Sequence, residues 1–72
     1  MQFTTRQYNA LERAITERMR IALIRRGNEF VVLPERISLR EGRESLDTVQ
    51  PATGDRMSIF LDEIDAFEIV NA

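Results

Sequence analysis

Apolar residues in the first quarter of the chain recur at helical spacing. Tyr8, Leu11, Ile15 and Met19 fall three and four apart with Ala10 and Ala14 beside them, while Arg6, Glu12, Arg13 and Glu17 take the opposite side. The pattern predicts one amphipathic helix over about residues 4–18. Its start is marked twice: Thr4 as N-cap with Gln7 three residues on forms a capping box, and Phe3 ahead of the cap is placed to pack on Tyr8.

After Met19 the period changes to that of strands. Residues 20–26 and 29–33 are two apolar runs separated by Gly27-Asn28, a hairpin signal because glycine takes the positive φ of a tight reversal. Apolar groups on both faces of the first run, Ile21 and Leu23 against Ala22 and Ile24, predict a strand covered on both sides. Pro34 lacks a ladder donor and predicts a bend or a loss of pairing, after which Ile37 and Leu39 alternate with polar neighbours over residues 36–40. Glu41-Gly42 marks a turn, residues 43–49 a third strand, residues 50–55 a loop and residues 57–61 a fourth strand. A single turn through residues 62–65 leads into a last strand, residues 66–70.

One helix followed by short, bent antiparallel strands exposes sheet edges unless the sheet closes on itself. The expected fold is therefore mainly β with one N-terminal helix: a small SH3-like or Sm-like five-stranded antiparallel barrel capped by the helix. A single domain over residues 1–72 is expected, with the barrel over about residues 20–70. A chain of 72 residues buries a modest core, so pairing of edge strands between copies, through residues 31–39 or 66–70, is an expected supplement.

Composition removes most chemistry. There is no His, the usual general base, and no Cys for a disulfide or a thiolate metal site. Ser38, Ser45 and Ser58 have neither His nor Lys to activate them, and Gly27, Gly42 and Gly54 stand singly at turns rather than in a phosphate-binding loop. No enzymatic activity, cofactor or metal is expected. No apolar run approaches the roughly 20 residues of a bilayer span, so the expectation is a cytoplasmic protein with no membrane contact.

Two polar groups remain as candidate sites. All ten basic residues are Arg, and five of them, Arg25, Arg26, Arg40, Arg43 and Arg56, fall at or near turns, where planar guanidiniums suit phosphate groups of a nucleic acid or a nucleotide-like ligand. The acidic alternative is Asp62, Glu63 and Asp65 with Glu12 on the helix, a surface for a basic protein partner. The spacing of the three turn carboxylates matches no loop that wraps a cation.

Leu61-Asp62-Glu63-Ile64, preceded by Arg26-Gly27, Leu33-Pro34 and Gly42-Arg43, resembles the WYL domain, an Sm-like barrel of bacterial transcription regulators. At the strand that names that family this chain has Glu44-Ser45-Leu46, and Glu63 stands where the family has Arg. The resemblance implies a regulatory module that binds nucleic acid or a ligand. Tyr8, Leu11, Glu12 and Ala14 in the helix, with Leu61-Asp62, Ile64 and Phe67 near the end, are similar to the Rof family, small antiterminators that bind and inhibit the transcription terminator Rho. That likeness implies a stand-alone acidic module whose partner is a protein of the transcription machinery.

Overall fold

Helix α1 occupies Thr5–Thr16 and begins as its cap residues dictate. In this computed structural model, which describes residues 3–70, the Thr4 hydroxyl accepts from the Gln7 N–H at 3.1 Å and the Gln7 side chain accepts from the Thr4 N–H at 2.9 Å. The four terminal residues of the expected domain lie outside the described residues. The helix stops short of the expected residue 18. Arg18 turns left-handed at φ 55, its N–H bonds to the Ile15 carbonyl at 3.3 Å, and the Met19 N–H bonds to the Ala14 carbonyl at 2.8 Å. This is a Schellman closure built on an arginine where glycine is the common choice, so no glycine in the sequence announces it. Arg18→Gly is expected to raise stability by about 0.5–1 kcal/mol in urea melts, by relieving the left-handed backbone.

Five strands follow: β1 Arg20–Arg25, β2 Asn28–Arg40, β3 Arg43–Val49, β4 Arg56–Phe60 and β5 Ala66–Val70, with a 3-10 turn at Leu61–Glu63 before the last. They form one antiparallel sheet in the order β4-β3-β2-β1-β5, so the edges are β4 and β5, and residues 31–39, expected at an edge, lie instead in the central strand. The first reversal differs by one residue from the expected Gly27-Asn28. Arg25 pairs with Asn28, so the two-residue turn is Arg26-Gly27, at φ 50 and 79. Glu41-Gly42 repeats the geometry at φ 54 and 76 between paired Arg40 and Arg43. Positive φ at both central residues is the type I′ pattern that matches strand twist.

Of the bend or loss of pairing expected at Pro34, the structure shows the bend, and β2 runs through it as one strand. Its pairing with β1 ends at Val32 and its pairing with β3 begins at Leu33, so the proline falls just past the change of partner. The register then slips between Pro34 and Arg36, a bulge that bends the strand.

The bend has a second cause. β4 and β5 run in the same direction at opposite ends of the strand order. In a flat sheet the end of β4 and the start of β5 would lie more than about 20 Å apart, four spacings across and one strand length along. The connector of residues 61–65, partly wound as a 3-10 turn, reaches roughly 16 Å. The sheet must curl to be connected at all. Both halves accordingly bury side chains into one core: Ile21, Leu23 and Val32 meet Leu46 and Ile59, with Leu11 and Ala14 from α1 and Leu61 and Ile64 from the connector. The barrel is nevertheless open, because β4 and β5 do not pair with each other.

Strand β1 is covered fully on one side and only in part on the other, less than its two-faced apolar pattern suggested. Ile21 and Leu23 are fully buried and Ala22, on the other face, is 8% exposed, whereas Ile24 on that face is 37% exposed and Val31, paired with Ala22, is 46% exposed. The helix does not reach that face. It packs along β2 instead, with Ile15 near Leu33 and Pro34, and Tyr8 near Leu39 and Glu44.

Candidate functional site

The two type I′ turns carry Arg25, Arg26 and Arg43 toward the connector, and there the two expected sites become one. Arg25 contacts the Glu63 carboxylate at 2.9 Å. Arg43 grips Asp62 with two hydrogen bonds, of 3.0 and 2.6 Å, lies 3.6 Å from Glu63, and rests its guanidinium 3.7 Å above the Phe60 ring. The Arg26 contribution is its backbone: the N–H donates to Asp65 at 3.0 Å, while the Asp65 N–H donates to the Ile24 carbonyl at 2.7 Å. Arg43 holds the Asp62 carboxyl below the usual carboxylate range. The arginines expected to grip an anionic ligand and the carboxylates expected to face a basic partner therefore answer each other. Together they fix the connector that curls the sheet.

Glu12 stands apart from that turn. It lines a groove between α1 and the β2–β3 hairpin with Tyr8, Ile15, Ile37, Leu39 and Glu44. The Tyr8 hydroxyl donates to Glu44 at 2.5 Å, and the bond to that anion pushes its pKa up to about 12.

Arg40 and Arg56 belong to a second polar cluster, on the outer face of the other half of the sheet. Strand alternation sets Arg36, Ser38 and Arg40 on one face of β2, and the register places Asp47 of β3 opposite Arg36 and Ser58 of β4 opposite Asp47. Asp47 is the hub. One carboxylate oxygen accepts from Arg36 at 2.8 Å and from Ser38 at 2.9 Å. The other accepts from Ser58 at 2.9 Å and lies 3.7 Å from Arg40. Hydrogen bonds from Arg36, with support from Ser58 and Ser38, outweigh burial and hold the Asp47 pKa at about 2. Arg56 sits across the same shallow depression, 3.6 Å from Glu35.

This cluster keeps its cations in the open. The side chains of Arg36, Arg40 and Arg56 are 75%, 55% and 81% exposed, three guanidiniums against the carboxylates of Asp47 and Glu35. Arg36, Ser38, Asp47 and Ser58 were not among the expected site residues. Their signal is the strand alternation itself, which sets Arg36 and Arg40 on one face, whereas proximity to turns favoured Arg25, Arg26 and Arg43. Ser45, between Ser38 and Phe60 in the register, is buried with its hydroxyl unpaired, and nothing in the structure accounts for it.

Among the described residues no group of three or more acidic side chains is placed to hold a metal ion, and no helix is long and apolar enough to cross a membrane. Against known proteins, the chain matches no family model, no curated protein and no solved structure.

Proposed function

We propose that the protein is a non-enzymatic regulatory binding module of transcription or RNA metabolism, one that takes the phosphate backbone of nucleic acid, or a nucleotide-like ligand, on the face formed by Arg36, Arg40 and Arg56. The observation that carries this reading is the exposure of three guanidiniums on one sheet face around a carboxylate already saturated by donors. Arg36 uses its Nε on Asp47, so its terminal nitrogens stay available for a planar, two-pronged grip on phosphate. Arg25 and Arg43, neutralised by Glu63 and Asp62, contribute little to such binding.

Phe60, the aromatic on this face, is covered by Arg43, so the reading is of backbone contact with little base stacking and little sequence preference. A WYL-like role fits this better than a Rof-like one, because the carboxylates at residues 62, 63 and 65 already have cationic or N–H partners within the chain.

Fluorescence anisotropy with labelled RNA and DNA of about 20 nucleotides tests it. Three phosphate contacts give a slope of log K against log salt of about −2 for a single strand. The variant Arg36→Gln/Arg40→Gln/Arg56→Gln is expected to weaken binding at least tenfold and to flatten that slope. Binding that is absent, insensitive to salt or unchanged in the triple variant sinks the proposal.

A further inference from the structure

We infer that the outer face of β5, β1 and the first stretch of β2 is a docking surface for a segment of a partner protein that carries an arginine among apolar residues. Strand alternation turns Ala22 and Ile24 of β1, Glu29 and Val31 of β2, and Ala66 and Glu68 of β5 away from the core. In the register Ile24 lies between Glu29 and Ala66, and Ala22 lies between Val31 and Glu68. The result is an apolar strip with one carboxylate on each flank, hollowed into a notch of about 200 Å³ lined by Ala22, Ile24, Ala66 and Phe67 with the two glutamates. Two of the three large apolar side chains exposed among the described residues, Ile24 and Val31, stand in this strip.

The charges identify the occupant. Most carboxylates of the described residues are engaged within the chain: Glu17, Glu35, Asp47, Asp62 and Glu63 face arginines, and Glu44 and Asp65 accept hydrogen bonds. Glu29 and Glu68, like Glu12, Glu41 and Asp55 elsewhere, have no side-chain hydrogen-bond or ion-pair partner among those residues, and these two flank the apolar strip. Arg20 shares the face, opposite Val70, and is not within ion-pair distance of either.

A side chain that suits such a place has a long aliphatic stem to lie on Ala22, Ile24 and Ala66 and a planar cationic head to pair with a carboxylate on the flank, which describes arginine. Small apolar neighbours in the same segment would cover Ile24 and Val31. The two carboxylates repel nucleic acid, so this surface is separate in chemistry and in place from the Arg36–Arg40–Arg56 face and does not rest on it.

The test is an amide NMR titration of the full chain with a capped six-residue peptide alternating valine and arginine, beside a counterpart with glutamate in place of arginine. The arginine peptide is expected to shift the amides of Ala22, Ile24, Val31 and Glu68, and Glu29→Gln/Glu68→Gln is expected to weaken it about tenfold. The glutamate peptide is expected to leave the wild type unmoved and to bind the charge-reversed Glu29→Lys/Glu68→Lys variant. These positions are on the surface, and each variant's own spectrum reports whether it is folded. The inference is overturned if the shifts gather on the 62–65 turn or the Glu12 groove, if the Gln variant binds as tightly as wild type, if millimolar peptide moves nothing, or if the same amides shift with protein concentration alone, which would make the occupant a second copy of this chain.

Discussion

Replacing Leu46 with alanine is expected to destabilise the fold by about 3–4 kcal/mol, the range for removing a fully buried leucine whose site cannot collapse. Leu46 is 0% exposed and stands in the middle of β3, paired with Ile37 on one side and Ile59 on the other. Its side chain fills the space where the curled second half of the sheet meets Ile21, Leu23 and α1. A chain of this length has a total stability of only about 5 kcal/mol, so the substitution removes most of it. With a urea slope near 1 kcal/mol/M, the unfolding midpoint should fall by roughly 3 M. Leu39→Ala, at a position 73% exposed, should change stability by less than about 0.5 kcal/mol and serves as the control. A loss under 1 kcal/mol for Leu46→Ala would mean that the two halves of the sheet do not share one core.

The second large effect is tied to pH. Asp47→Asn keeps the shape of the hub and removes its charge, taking from Arg36 the partner that holds the carboxyl at about 2. A group that titrates near 3.8 when unfolded and near 2 when folded contributes stability that is fully present above about pH 4 and disappears as the pH falls toward 2. Allowing for the exposure of Arg36 to solvent, the contribution is about 1–2 kcal/mol. Wild type should therefore exceed Asp47→Asn by that amount in urea melts at pH 6, and the two curves should converge by about pH 2. A gap that persists at pH 2 would assign the effect to shape instead of charge.

How much of this could be read from the chain depended on the range of the interaction. Thr4 and Gln7 marked the helix start because capping is local, and short apolar runs between turn residues located the strands for the same reason, with β2 read as two pieces, residues 29–33 and 36–40. The helix end and the first turn went astray where the backbone does something its residues do not advertise: Arg18 and Arg26 sit at positive φ without being the glycine or asparagine that would signal it, whereas Glu41 does the same in a turn that Gly42 had already marked. Pro34 marked the bend but left a loss of pairing open, because a sequence does not show that the strand changes partner beside it. The site was least legible. Arg25 and Glu63 are 38 positions apart and Arg43 and Asp62 are 19 apart, so residues read as two opposing surfaces neutralise one another only after the sheet curls. Arg36, by contrast, lay within reach of simple alternation from Arg40.

Tyr8, the strut between α1 and β3, has a consequence for how the molecule behaves in a cell. The side chains that titrate in this sequence are Asp, Glu, Tyr and Arg, with no His, Cys or Lys, and none of those four classes ordinarily changes charge between about pH 5 and 9. The structure widens that silent interval at its upper end, where the single tyrosine, Tyr8, is pushed up to about 12. Side-chain charge is thus constant across the physiological range, and so is the field around the arginine face and around the Glu29–Glu68 strip. Acidification would leave this protein's attraction for a partner untouched unless the partner itself titrated, while ionic strength would act on it directly.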